Sequence, residues 1–193
     1  VDLREDREHP QKSKRPIASG RIGKRPAVIC AVALLLISLC LSLFLDRTFF
    51  VVAAVYLALS LTYSFLLKGV VILDVLAIAF GFVLRAVAGA VAIDVEISTW
   101  LLVCTVLLAL FLALSKRRHE LLLLETSPVN LRRRTLSEYS SELLDQMISV
   151  VTASTVMAYS LYTMAPETVA KFQTRALGLT IPFVLYGIFR YLY

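Results

Sequence analysis

The chain has 193 residues, a formal net charge of +6 and 59% hydrophobic residues, with a mean hydropathy of +0.79. A soluble domain carries roughly 45–50% apolar residues, so this composition excludes an ordinary water-soluble globular protein. The positive balance is not a nucleic-acid footprint either, because bases and aromatics are nowhere interleaved as a nucleic-acid groove would require.

The chain opens on its densest group of charges. Asp2 and Asp6 stand four residues apart, on one face of a helix, where their oxygens would lie roughly 6 Å from each other. Two like charges so placed repel, and a cation between them relieves the repulsion. Mg²⁺ suits such a pair, because it takes hard oxygen ligands and shares its shell with substrate phosphates. Lys12, Lys14 and Arg15 follow at once, and could hold the rest of a diphosphate. By themselves these residues fit a metal site and a solvated helix end before a basic loop equally well. His9-Pro10 reads either as the end of the acidic helix, since proline turns its predecessor away from helical angles, or as part of the site.

Apolar spans come next. Residues 27–45 and 49–67 each run 19 positions without a charge, and 71–93 is as apolar but carries Asp74 and Arg85. Residues 99–115, 146–165 and 176–189 complete a set of six. Spans of about 20 apolar residues match a bilayer core, so the expected fold is all-α, a polytopic transmembrane helical bundle in a single membrane domain. Asp74 and Arg85 fall on one helical stripe about 16 Å apart, too far to pair. An ionisable residue at that depth costs roughly 2.5–3.5 kcal/mol on insertion scales, so each should face a polar cavity or bond to a neighbouring helix.

Basic residues give the orientation. Residues 1–26, Lys68 and the loop 116–144 share one side and hold 15 of the 20 Lys and Arg; the opposite loops hold Arg47, Lys171 and Arg175. The positive-inside rule makes the richer side cytoplasmic. Trp100, Tyr63, Tyr162, Tyr191 and Tyr193 near span ends read as interfacial aromatics. Cys30, Cys40 and Cys104 lie inside spans without metal-like spacing and read as apolar fillers. His119-Glu120 lacks the second histidine of a zinc-protease helix. Within 116–144, Lys116 and Glu120 fit either site residues or a plain i,i+4 pair. Arg132–Arg134 read as a surface run, and leucines 121–124 and 131 as a membrane-surface contact.

Taken together, Asp-x-x-x-Asp-x-x-His-Pro-x-Lys-x-x-Arg-Pro-Ile-Ala-Ser-Gly from Asp2 to Gly20, Tyr63-Ser-Phe-Leu-Leu-Lys68, Leu84-Arg85-Ala-Val-Ala-Gly89, Lys116-Arg117-Arg118-His-Glu120-Leu and Ser137-Glu-Tyr139-Ser resemble the UbiA-type intramembrane prenyltransferase superfamily. The closest resemblance is to its decaprenyl-phosphate phosphoribosyltransferase branch. That branch begins its first motif with Asn-Asp two positions before Asp2, so one acidic ligand is missing here. The resemblance implies roughly nine helices, six of them within this chain, two before it and one after it, each long enough for the bilayer.

It further implies transfer of 5-phosphoribose from phosphoribosyl diphosphate to a polyprenyl phosphate, with Mg²⁺ and release of diphosphate, in cell wall biosynthesis at a bacterial inner membrane. Asp2 and Asp6 would be the metal ligands. Lys12, Arg15, Lys116, Arg117 and Glu120 would complete the catalytic set, and Lys68, Asp74, Arg85 and Tyr139 would contact substrate. Two other functions stay open: an aromatic prenyltransferase of the same superfamily, and a transporter or lipid-binding protein. Aromatic prenyltransferases carry a second Asp-rich motif where this chain has Lys116-Arg117-Arg118, and a cationic stretch suits a phosphate better than a second metal. The acid pair without an inverted repeat speaks against the transporter.

Overall fold

The computed structural model of the protein describes residues 12–125 and 139–193. Their regular structure is helical: α1 (Lys24–Leu45), α2 (Arg47–Phe65), α3 (Leu73–Ala92), α4 (Thr99–Glu125), α5 (Ser141–Met164), α6 (Pro166–Phe172) and α7 (Ile181–Leu192). Short 3-10 turns lie at Lys12–Lys14, Leu67–Gly69 and Ala176–Thr180. Helices α1 to α5 are each long and apolar enough to cross a bilayer. The protein is an integral membrane protein.

Consecutive helices pack on one another, α1 on α2, α2 on α3, α3 on α4 and α4 on α5, the up-and-down order that short connections impose. The reversal between α1 and α2 is a single residue. Asp46 ends α1 and caps α2, accepting from the N–H groups of Phe49 and Thr48. The Phe49 N–H, the Thr48 hydroxyl and the Thr48 N–H hold its carboxyl below the usual carboxylate range. Near the start of the described chain, the Ser19 N–H bonds the Arg15 carbonyl at 2.8 Å and the Ile22 N–H bonds the Pro16 carbonyl at 3.0 Å. Gly20 closes this turn at φ +79°, a conformation that favours glycine.

Two boundaries differ from the sequence expectation. The segment 116–144 is not all loop, because α4 continues to Glu125 and α5 begins at Ser141. Lys116 to Glu125 contains mostly Lys, Arg, Glu and Leu, all good helix formers, so nothing local stops the helix at Ser115. Ser140 caps α5 by accepting from the Leu143 N–H at 3.1 Å. The second difference is at 176–189. Helix α6 ends at Gln173 in the left-handed region, and α6 and the stretch Ala176–Leu192 meet at 98°. The region makes a sixth span only if that bent pair counts as one. Helix α7 alone, at 12 residues, reaches about 18 Å, short of a bilayer core.

Burial is uneven. Helix α2 has no fully buried residue and α1 only Ser42, while side chains such as Phe44 (85% exposed) point outward. Lipid is as apolar as these side chains, so there is no drive to bury them. The core sits between α3, α4, α5 and α7, where Val75, Phe111, Leu114, Leu144, Ile148 and Ile188 pack together. The Phe111 ring also meets that of Tyr191 at 5.4 Å. Leu144→Ala should therefore lower stability by about 2–4 kcal/mol through the cavity it leaves, whereas Phe44→Ala should change little. Thermal unfolding of the two variants in detergent checks the contrast.

Candidate functional site

The site builds outward from Asp74, in the first turn of α3, where a carboxylate complements the positive helix end. Its side chain is wholly buried. Oδ1 accepts from the Val75 N–H at 2.8 Å and from the Tyr139 hydroxyl at 3.0 Å, and Oδ2 accepts from Nε of Arg117 at 3.0 Å. Arg117, on α4 and 5% exposed, donates from Nη1 to Oε2 of Glu120 at 2.9 Å and from Nη2 to the Tyr63 hydroxyl at 3.3 Å. One guanidinium thus bridges two carboxylates and a phenol from three helices. Such planar, forked donation is what arginine offers and lysine does not.

Tyr139, just before α5, is buried at 4% exposure. Its hydroxyl also accepts from the Ile72 N–H at 2.7 Å. Ile72 has φ +69°, a positive-φ conformation that costs a non-glycine residue about 1–3 kcal/mol unless its surroundings hold it. Burial pushes the Tyr139 phenol up to about 12; the Ile72 N–H opposes the shift and the Asp74 carboxylate adds to it.

A second cluster lies deeper. Nε of Arg85 on α3 bonds the Tyr56 hydroxyl at 3.2 Å, and Nη2 bonds the same oxygen. Its guanidinium also lies 5.2 Å from the centre of the Tyr56 ring and 5.5 Å from that of Phe82. Between α2 and α3 runs a cavity of about 220 Å³, with Tyr63, Ser60, Gly81 and Arg85 in its lining. Tyr56 and Tyr63, seven residues apart, lie on one face of α2 about 10 Å from each other. Each takes a hydrogen bond from an arginine of another helix, Arg85 within the cavity lining and Arg117 outside it.

The structure therefore gathers Asp74, Arg117, Glu120 and Tyr139 and separates Arg85 from them. Asp74 lies outside the cavity lining, bonded to the Val75 N–H and to the side chains of Tyr139 and Arg117. Tyr139 is buried with its hydroxyl spent on two internal bonds, so this geometry does not offer it to a substrate. Arg117 is likewise committed to two carboxylates and withdrawn from a phosphate, while Lys116 beside it is exposed. Glu120 pairs with Arg117 at i,i+3, not with Lys116. Arg118 turns to Asp145 on α5. Lys68 is half-buried in the α2–α3 turn and Arg15 is exposed. Asp2, Asp6 and Arg132–Arg134 lie outside the described residues, as does the Lys12 side chain.

Tyr63 stands near the end of α2, and its hydroxyl takes a hydrogen bond from Arg117. Tyr56, Ser60 and Tyr63 were not legible as a set. Their signal was a polar stripe at positions 56, 60, 63 and 64 of an otherwise apolar span, matching a helical face. Among the described residues no group of three or more His, Cys, Asp or Glu could hold a metal ion.

Breaking the buried pair should be costly. Asp74→Asn should destabilise by roughly 3 kcal/mol, at the low end for a broken buried pair because Glu120 still holds Arg117. Adding Arg117→Gln should then cost less than the sum of the two single changes. Unfolding free energies of the four proteins in detergent check this. The phenol gives a pH signature. A folded-state value above the ordinary one means stability that is complete below about pH 10 and lost as pH rises towards about 12. Thermal midpoints should fall across that window in the wild type and fall less in Tyr139→Phe.

Comparison with known proteins agrees with the membrane architecture. A model described as the UbiA prenyltransferase family matches residues 1–192. The decaprenyl-phosphate phosphoribosyltransferase of Mycolicibacterium smegmatis is 36% identical over 166 residues, 86% of this chain and 52% of that protein. The protein of the same name from Corynebacterium glutamicum is 37% identical over 163 residues, 83% of this chain and 49% of that one. A 4-hydroxybenzoate octaprenyltransferase of Actinobacillus pleuropneumoniae is 35% identical over 103 residues, 53% of this chain and 35% of that protein. The chain spans about half the length of the curated phosphoribosyltransferases it matches. With the family model covering it almost end to end, the chain belongs to the UbiA prenyltransferase family.

Proposed function

We propose that the full-length protein transfers 5-phosphoribose from phosphoribosyl diphosphate to a polyprenyl phosphate, releasing diphosphate. The observation that carries this is the 36–37% identity to proteins named decaprenyl-phosphate phosphoribosyltransferase over more than four-fifths of the chain. The match to the octaprenyltransferase is shorter. The reaction side is the end of the bundle that carries Lys68, Lys116 and Arg15, facing the cytoplasm of a bacterial inner membrane by the positive-inside rule.

In this reading the bond from C1 of the ribose to the diphosphate oxygen breaks, and a bond from C1 to a lipid phosphate oxygen forms. The nucleophile is already an anion near neutral pH, so no general base is required, consistent with a chain whose histidines are His9 and His119. Lys12, Arg15, Lys68 and Lys116 hold phosphate oxygens and stabilise the charge that grows on the leaving group. Arg117 does not join them. It locks α3 and α4 together beneath that surface. Mg²⁺ belongs to the reading through the hard oxygens of Asp2 and Asp6; when bound it would neutralise charge on the diphosphate. Asp74 and Glu120 add no ligands to such a site, since both already face the Arg117 guanidinium.

A phosphorus label separates this reading from prenyl transfer. Label placed in polyprenyl phosphate should stay with the lipid, joined to C1 of ribose 5-phosphate, and the released diphosphate should derive wholly from the sugar donor. Label in water as inorganic phosphate or diphosphate would show that the lipid C–O bond had broken, and would replace this reading with the prenyltransferase. Lys116→Ala should weaken donor binding by about 1.5–3 kcal/mol, the worth of a charge-assisted bond.

A further inference from the structure

We propose that Tyr139 is a positioning residue whose hydroxyl fixes the α2–α3 turn, and with it the placement of Lys68 on the donor's phosphates. The substrate in this statement rests on the reading above; the bond itself does not. The turn closes largely on itself. The Val70 N–H bonds the Leu67 carbonyl at 3.1 Å, the Leu73 N–H bonds that of Val71 at 2.8 Å, and the Asp74 N–H bonds that of Val70 at 3.1 Å. The Ile72 N–H is different, since it goes to the Tyr139 hydroxyl, 67 residues away in sequence. Ile72 is also the residue whose backbone sits at φ +69°, so the bond holds the one position of the turn most inclined to relax.

The hydroxyl accepts from Ile72 while donating to Asp74, a double role that needs the protonated phenol. Neither the burial of the ring nor the satisfaction of Asp74 needs the Ile72 contact. Asp74 is already held by Val75 and Arg117. What the contact adds is the register of the turn against the α5 entrance. Lys68 lies four residues before Ile72 in that same turn, so a shift at Ile72 moves its ammonium.

The test uses the full-length protein and Tyr139→Phe, which keeps the ring and removes both bonds. Hydrogen exchange across the turn should speed up about tenfold, as loss of one good hydrogen bond implies, with the middle of α5 unchanged. KM for phosphoribosyl diphosphate should rise about tenfold while kcat changes less than about twofold. A merely structural tyrosine would lower the thermal midpoint and the active fraction and leave KM alone. Unchanged exchange overturns the proposal whatever the substrate. Faster exchange with an unchanged KM overturns the link to Lys68. If the wild type does not turn over phosphoribosyl diphosphate, the functional reading falls and exchange alone decides the bond. Should Tyr139→Phe fail to fold, the wild-type amide of Ile72 decides: exchange as slow as that of Val75 within α3 supports the bond, and fast exchange overturns it.

Discussion

One ion pair organises this bundle. The Arg117 guanidinium and the Asp74 carboxylate meet at 3.0 Å with almost no exposed surface, and everything polar nearby is arranged around them. A charge that loses its partner in such surroundings costs several kcal/mol, so α3 and α4 cannot slide or rotate independently once the pair has formed. Glu120 and Tyr63 occupy further donors of the same guanidinium, and Tyr139 occupies Oδ1 of the same carboxylate. The pair thereby fixes the ends of α2, α3 and α4, and the entrance to α5, relative to one another.

This matters more in a membrane than it would in water. Apolar faces of α1 and α2 gain little by packing, because lipid solvates them as well as a neighbouring helix does. What distinguishes one arrangement of such helices from another is then close packing and polar contact. Both are present in separate places. The packed core lies between α3, α4, α5 and α7, around Leu114 and Leu144, while the contact of α2 with its neighbours is marked by phenols that bond arginines. Helix α2 has no buried residue, yet its position is specified, because Tyr56 and Tyr63 each have one partner.

The spans were legible because their signal is local. A run of 19 uncharged residues means the same thing whatever surrounds it, and all five spans emerged, four of them within about five residues at both ends. The exceptions have physical reasons. The expected end of α4 at Ser115 rested on charge alone, but Lys, Arg and Glu stop a hydrophobic run without stopping a helix. The bend after α6 comes from Gln173 in a left-handed conformation, which no periodicity announces. The site was legible as a set of residues and not as an arrangement. Asp74 was recognisable as unusual from its depth, but its partners come from positions 117 and 139, and only the fold brings them near. The positive φ of Ile72 is the extreme case, since a β-branched residue gives no reason to expect it.

The same limit corrects the chemistry assigned to Lys116-Arg117-Arg118. As a sequence the three cations form one phosphate-seeking block. On a helix, successive residues point about 100° apart, so they must diverge. Lys116 is exposed, Arg117 is buried against two carboxylates, and Arg118 reaches Asp145 on α5. Arg85, in the lining of the α2–α3 cavity, is matched differently. Its neighbours are a phenol and two ring faces, which screen a charge without cancelling it. The cavity is thus lined by the arginine that keeps its positive field, while the arginine neutralised by acids lies outside the lining. A cation count alone would have ranked Arg117 as the anion binder; the geometry gives that arginine to the scaffold and leaves Lys116, on the next position of the same helix, facing outward.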